Sequence, residues 1–105
     1  MQGVGAHFCT GGRLEKGAPD HSGLSIHDAL GHLNIGNEVA MRLRKLLVAT
    51  TAAVHGKLIG GGVALSLAAQ YRISSQGATF NFGNLPRGMN PLFMLSRSLA
   101  LVAGW

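Results

Sequence analysis

Apolar and polar positions fall in short blocks along this chain, and the blocks meet at clusters of glycine. The clearest cluster, Gly60-Gly61-Gly62, separates the run VATTAAVHG at 48–56 from the run GVALSLAAQ at 62–70. Small and β-branched residues in the first run predict a short buried strand, and the Ala and Leu of the second predict a helix. Glycine loses backbone entropy when it is ordered, so three in succession indicate a sharp bend or the close approach of another group.

The N-terminal half of the chain has weaker patterning. Residues 1–12 end in HFCTGG, which is typical of a strand that turns into a loop. Residues 13–36 mix Gly, Pro, Asp, His and Ser with little periodicity, and they predict a mobile loop with one short helical turn near 26–33. Apolar residues at helical spacing then predict a helix over 37–48, with Asn37 as its expected N-cap.

The C-terminal half predicts two more strands, a turn and a helix. The segments YRISS at 71–75 and GATFNFG at 77–83 have strand character, and PRGMNP at 86–91 is a turn. From Pro91 onward the pattern predicts a helix with proline at its favoured first position. Strands that alternate with helices in this order are typical of an α/β fold with parallel strands.

Length and composition permit one domain, since the chain has 105 residues and 47% of them are hydrophobic. The chain opens on what resembles a strand end and stops inside an apolar helical pattern, so we expect a piece of a larger domain. Cys9 is the single cysteine. It excludes an internal disulfide, indicates a reducing compartment and is more typical of a small buried hydrophobe than of a nucleophile.

Targeting signals are absent from the pattern. No signal peptide follows Met1, and no apolar run is long enough to span a bilayer. We therefore expect a cytoplasmic protein without a membrane partner, with an organelle as the alternative if a transit peptide precedes the chain. The residues His7, His21, His27 and His32 show no convincing metal-ligand spacing, so no metal is expected.

Charge is distributed unevenly. The formal net charge is +5, and all four carboxylates lie within the first 38 residues. No carboxylate of the region 39–105 is therefore available for acid–base chemistry, and that basic region would attract anions. Nucleic acid is not the favoured partner, because the basic residues are dispersed and aromatic residues do not interleave with them.

The glycine cluster lies where a strand ends and a helix begins, a place where unpaired N–H groups and the helix dipole favour negative charge. Two ligands fit this description, a phosphate or the oxyanion of a reacting carbonyl, and a purely structural bend is the alternative. The phosphate-loop and dinucleotide glycine patterns both fail here. A second bend, at Phe8–Gly12, supplies a second set of amides, and an oxyanion hole needs two donors.

Together these segments resemble the enoyl-CoA hydratase/isomerase (crotonase) superfamily. HFCTGG corresponds to that family's F-C-A-G-G-D loop, and AAVHGKLIGGGVALSLAAQYRISSQGATFNFG follows its A-x-x-x-G-x-x-x-G-G-G motif, helix and A-x-F strand. The resemblance covers nearly the whole chain. It implies an α/β fragment of the crotonase-like ββα spiral, with mostly parallel short strands and flanking helices, and a homotrimer for the full-length fold.

The resemblance also implies a chemistry and a set of residues. The family polarises an acyl-thioester carbonyl with two peptide N–H groups, which correspond here to Thr10 and Gly61. Residues 13–36 correspond to the mobile loop around the pantetheine and adenine. No separate cofactor is implied, since coenzyme A or phosphopantetheine forms part of the substrate, carried as an acyl-CoA or on an acyl-carrier protein. The residues expected around that substrate are Phe8, Gly11, Gly60, Gly62 and Asn84.

The chain departs from the family's hydratases at the acid positions. Ala64 and Asn84 stand where those enzymes carry two glutamates, and Arg13 and Gln70 replace two aspartates of the family pattern. The resemblance therefore implies decarboxylation or isomerisation rather than two-glutamate hydration. The stretch NFG…RGM is similar to the decarboxylase/isomerase branch of polyketide β-branching.

Decarboxylation needs no base to remove a proton, but it needs a proton donor after carbon dioxide has left. His55 or Lys57 is the candidate, against a structural role for His55 and a surface role for Lys57. The alternative for the whole chain is a catalytically inactive truncated homologue that acts only in binding or assembly.

Overall fold

The computed structural model describes residues 1–12, 25–83, 85–87 and 90–104. Its first helix, α1, spans Ile26–Arg44 and begins at Ser25, whose hydroxyl accepts a hydrogen bond from the Asp28 N–H. Asp28 in the first turn, and Arg42 and Arg44 in the last, suit the helix dipole. The predicted helix at 37–48 with an Asn37 cap therefore has the wrong start and end. The helical turn predicted near 26–33 lies within α1, whereas the loop prediction is wrong at 34–36. Residues 13–24 of that loop lie outside the described part.

Four short strands follow α1 along the chain. They are β1 at Thr51–Val54, β2 at Lys57–Ile59, β3 at Tyr71–Ser74 and β4 at Thr79–Asn81. β1 pairs in parallel with β3, and β2 pairs in parallel with β4. The prediction of parallel strands is confirmed, but the sequence pattern missed β2.

The N-terminal segment adds one partner to each pair of strands. Gln2 forms a parallel bridge with Ala53 of β1, and Cys9 forms a parallel bridge with Leu58 of β2. Each of the three segments 1–9, 51–59 and 71–81 therefore contributes once to each sheet. This repetition is the ββα spiral that the sequence resemblance implied.

Helix α2, at Gly61–Ala68, connects the second and third of these segments and confirms the predicted helix. Val63, Ala64 and Leu67 on α2 pack into the core with Val54 and Leu58 of the strands. Leu58 is fully buried, and burying a leucine side chain contributes about 1.5–3 kcal/mol to stability. The core therefore lies directly behind the glycine cluster and fixes the position of its bend.

The side chains of Arg72 and Gln70 make hydrogen bonds near the C-terminal end of α2. The Arg72 guanidinium donates to the carbonyls of Ser66 and Ala69 at 3.3 and 2.8 Å. The Gln70 side-chain oxygen accepts hydrogen bonds from the N–H and the hydroxyl of Thr50, beside the start of β1. Gln70 thus supplies an acceptor oxygen at the position where the family pattern has an aspartate.

The last helix, α3, spans Leu95–Ala103, and a short 3₁₀ turn lies at Leu85–Arg87. The prediction that this helix begins at Pro91 is wrong. A turn intervenes in which the Leu95 N–H donates to the Leu92 carbonyl, and its central residues, Phe93 and Met94, both have φ of +56°. The predicted turn at 86–91 overlaps the 3₁₀ turn, and its residues 88 and 89 lie outside the described part.

Candidate active site

Two glycine-bearing bends leave the same edge of one sheet. Cys9 pairs with Leu58 in a parallel bridge, and the Ile59 N–H donates to the Cys9 carbonyl at 3.0 Å. Parallel neighbours run in the same direction, so the residues that follow them emerge side by side. Thr10 therefore emerges beside Ile59, and Gly61 follows two residues later.

Glycine allows the two bends to touch. A Cβ built on Gly62 would collide with the carbonyl oxygen of Cys9, and one built on Gly11 would lie 2.9 Å from the carbonyl oxygen of Ile59. Gly11 also has φ of +87°, a conformation that residues with side chains rarely adopt. The sequence FCTGG is thus packed backbone to backbone against IGGG.

The start of α2 presents its first N–H groups at this contact. Gly60 is the N-cap, with φ of +52°, and its own N–H donates to the Asn81 carbonyl of β4 at 2.8 Å. The N–H groups of Val63 and Ala64 both donate to the Gly60 carbonyl, at 3.0 and 3.2 Å. Gly61 and Gly62 supply the two N–H groups ahead of them, where a helix has no acceptor of its own to offer. Dipole and amide direction there favour a negative oxygen.

The structure therefore brings together five of the residues that sequence analysis singled out: Thr10, Gly11, Gly60, Gly61 and Gly62. Phe8 lies just behind them, 7% exposed and packed in the core, with its N–H donated to the His55 carbonyl at 2.9 Å. Phe8 thus anchors the start of the bend that follows Cys9 to the core. Asn84 lies outside the described residues.

The two candidate proton donors lie before and within β2. His55 is half-buried, and its Nε2 is 3.0 Å from the Gly5 carbonyl. Lys57 is exposed, and its main-chain N–H points to Nδ1 of His7 at 3.3 Å. The Gly5 contact favours a structural role for the imidazole of His55. Its role as a donor stays a prediction, as does that of Lys57.

Acidic side chains are missing where a hydratase would need one. Ala64, which stands at one of the two glutamate positions, is 1% exposed and lies on the face of α2 that packs into the core.

Within the described ranges, no three His, Cys, Asp or Glu side chains come close enough to hold a metal ion. In the same part of the chain, no helix combines the length and apolar character needed to cross a membrane. What the site offers is main-chain N–H groups.

Sequence analysis missed one aromatic side chain at this site. A Cβ on Gly61 would lie 3.7 Å from Cε2 of Phe93, so the ring is close to the start of α2. The sequence pattern places Phe93 in the helix predicted from Pro91, whereas in the structure Phe93 lies in the turn at 92–95. The NPLF sequence, with a proline and an asparagine before the aromatic residue, was the available signal for such a turn.

Comparison with known proteins identifies the family. The sequence profile of the Enoyl-CoA hydratase/isomerase family matches residues 1–104. The chain belongs to this family. It is 33% identical over 93 residues to a Mycobacterium leprae protein named "Probable enoyl-CoA hydratase echA12", an alignment that covers 86% of this chain and 32% of that protein. It is also 26% identical over 91 residues to the ethylmalonyl-CoA decarboxylase of Danio rerio, covering 87% of this chain and 29% of that protein.

Solved structures confirm the crotonase-like α/β fold. A structure titled "probable enoyl-CoA hydratase/isomerase", from Mycobacterium abscessus, superposes with a TM-score of 0.78 at 32% identity, covering 97% of this chain and 38% of that one. A Thermobifida fusca YX protein, solved in complex with CoA, superposes with a TM-score of 0.78 at 27% identity, covering 95% of this chain and 40% of that one. The chain thus spans about a third of the length of the Mycobacterium leprae and Mycobacterium abscessus proteins.

Proposed function

We propose that this chain carries the oxyanion hole of an acyl-thioester enzyme, formed by the main-chain N–H groups of Thr10 and Gly61. The observation that carries the proposal is the backbone packing of the loop after Cys9 against the glycine bend after β2. Two amides at one sheet edge can hold one thioester oxygen, and preorganised donors stabilise the charge that develops there. A Thr at position 10 is compatible with this role, because the main chain supplies the donor.

The reaction that fits best is decarboxylation or isomerisation through an enolate. In decarboxylation, the bond to the departing carboxylate breaks and carbon dioxide leaves with no electrons from that bond. The electron pair passes into the enolate, whose oxygen the two amides hold, and the enolate carbon then takes one proton from a donor. Loss of carbon dioxide requires no base to remove a proton. Hydration by two glutamates is disfavoured by Ala64, because a methyl group stands there in the buried face of α2.

Two relatives support this choice of substrate class. The Danio rerio relative is named as a decarboxylase of ethylmalonyl-CoA, and the Thermobifida fusca structure contains CoA. For this chain we accordingly propose a CoA or carrier-protein thioester that bears a removable carboxylate, such as a malonyl or glutaconyl type. The narrower assignment to polyketide β-branching and the homotrimer remain predictions from the sequence resemblance.

Turnover of a small thioester panel tests the reaction class. The panel holds crotonyl, 3-methylglutaconyl, ethylmalonyl and 3-hydroxyacyl thioesters, with carbon dioxide release and water addition followed separately. We expect carbon dioxide from the 3-methylglutaconyl thioester alone. Addition of water to the crotonyl thioester would show that hydration proceeds without the two glutamates.

Two substitutions at Gly61 test the oxyanion hole itself. Gly61→Pro removes the N–H at the first helical position, where proline is tolerated, and Gly61→Ala keeps the N–H with only an ordinary contact to Phe93. Loss of one oxyanion donor lowers turnover by about 10²–10³-fold. We expect Gly61→Pro to be slower than Gly61→Ala by that factor, with both variants folded by circular dichroism. Equal turnover of the two folded variants would contradict the role of the Gly61 amide.

A second candidate function is that of a catalytically inactive homologue that binds or assembles. The missing glutamates favour it. Such a protein would bind a thioester or a partner chain without turning over any member of the panel.

A further inference from the structure

The ring of Phe93 lies close to Gly61 of the proposed oxyanion hole, and the backbone of Phe93 is unusual. Phe93 and Met94 both have φ of +56°, in the left-handed region that residues with a Cβ rarely occupy. Two such residues in succession are tolerated only where surrounding contacts hold them, and outliers of this kind concentrate at functional sites. The conformation therefore calls for contacts that fix it.

The ring of Phe93 lies against one glycine on each of two helices. A Cβ on Gly36 of α1 would lie 3.1 Å from Cε1 and Cζ of the ring, which is tighter than an ordinary contact. A Cβ on Gly61 would lie 3.7 Å from Cε2, which is an ordinary contact. The ring thus lies between α1 and the start of α2, and the absence of a side chain at Gly36 gives it space. Phe93 also packs against the core cluster, as does Cys9 of the opposite bend.

We propose that Phe93 is the wall of the acyl site beside Gly61, and that it selects thioesters whose carbon next to the carbonyl is unbranched. The inference rests on the proposed oxyanion hole. If the Gly61 N–H holds the carbonyl oxygen, the groups bonded to the carbonyl carbon lie next to that amide. A ring in near contact with Gly61 then fills the space into which a branch on the neighbouring carbon would extend.

The ring is a specificity-determining group and not an acid or a base. It carries no titratable atom, so its removal changes which acyl group fits and leaves the two amides in place. A site that must accept or exclude one methyl group discriminates by about 10- to 200-fold. This discrimination is the quantity to measure.

The experiment compares two isomeric thioesters, butyryl-CoA and isobutyryl-CoA, which differ only in a branch beside the carbonyl. Dissociation constants are measured by calorimetry for the unaltered chain, Phe93→Ala, Phe93→Leu and the control Phe80→Ala, whose ring lies on β4 and is 45% exposed. We expect the unaltered chain and the control to prefer butyryl-CoA. Phe93→Ala should shift the ratio toward isobutyryl-CoA by about tenfold or more, and Phe93→Leu, which keeps most of the packing, should shift it less.

Each outcome separates this inference from the proposed function. An unchanged ratio in both folded Phe93 variants, with butyryl-CoA still bound, overturns the role of Phe93 and leaves the thioester site standing. A shift as large in Phe80→Ala also overturns it, because the effect would not belong to this ring. If the unaltered chain binds neither thioester, the proposed function and the inference fail together.

Discussion

Gly62 is the residue at which the two bends come into closest contact. Its Cα faces the carbonyl of Cys9, and backbone atoms cannot move aside as the end of a flexible side chain can. The residue before it, Gly61, has space for a methyl group. These neighbours thus have different reasons for being glycine: Gly62 permits the packing, and Gly61 permits access to its N–H.

Gly62→Ala should therefore destabilise the chain where Gly61→Ala does not. Forcing an extra methyl group into a packed site costs on the order of 1–3 kcal/mol, and here the obstacle is main chain. Thermal and denaturant unfolding of the two variants measures the difference. Equal stabilities would show that the bends are not in contact through Gly62.

Gln70 stands where the family pattern has an aspartate, and the structure shows which property of the aspartate it keeps. Sequence comparison alone treats glutamine in place of aspartate as a lost carboxylate. The structure shows that the Gln70 oxygen still accepts from the N–H of Thr50 at 2.7 Å, so the acceptor remains although the charge is gone. The departure affects electrostatics more than local structure.

At the scale of elements, β1, β3, β4 and α2 can be predicted from sequence because each has a clear local pattern. The runs TAAV in β1 and YRIS in β3 contain β-branched or aromatic residues that favour strands, and the run GVALSLA in α2 is rich in Ala and Leu. Strand β2 is not predicted, because three residues between two glycines are too few to show a strand pattern in the sequence. Its partners, Cys9 and β4, are far away in sequence.

Helix α1 is predicted from sequence only as a short turn near 26–33 and a helix from residue 37, because Gly31, Gly36 and Asn37 interrupt its pattern. Tertiary packing overrides such weak propensities. The signal that was present is the pair Ser25 and Asp28, spaced as in a helix-capping motif. The turn before α3 cannot be predicted for another reason, since the ring of its left-handed residue Phe93 contacts Gly36 and Gly61, which are distant in sequence.

The two glycines of α1 provide a matched test of the Phe93 contact. In a helix interior, Gly→Ala stabilises by roughly 0.5–1 kcal/mol. Gly31→Ala should show this gain, because no described atom lies within 4 Å of its Cβ position. Gly36→Ala should show less or a loss, because the Phe93 ring must move away. Chemical denaturation of both variants measures the gap, and an equal gain at both positions would place the ring elsewhere.

At the scale of the whole molecule, several apolar side chains of the described strands remain exposed. Tyr71 and Ile73 of β3 are 63% and 68% exposed, and Phe80 of β4 is 45% exposed. Such strand faces favour association. Their exposure cannot be predicted from the sequence, because it depends on which elements pack on the sheet.

Light scattering and calorimetry together test whether this chain assembles as a folded unit. We expect a mass above that of the 10.9 kDa monomer and one cooperative thermal transition, because association would cover the exposed strands. A monomer without a cooperative transition would instead support the inactive homologue.

The central claim is that two main-chain N–H groups hold one thioester oxygen. Proton–nitrogen correlation spectra of the labelled chain, titrated with butyryl-CoA and separately with CoA, measure this at the two amides. We predict that the Thr10 and Gly61 amide protons move downfield with butyryl-CoA and not with CoA, which has no acyl carbonyl. Saturable binding of butyryl-CoA that leaves these two amides unmoved would contradict the account.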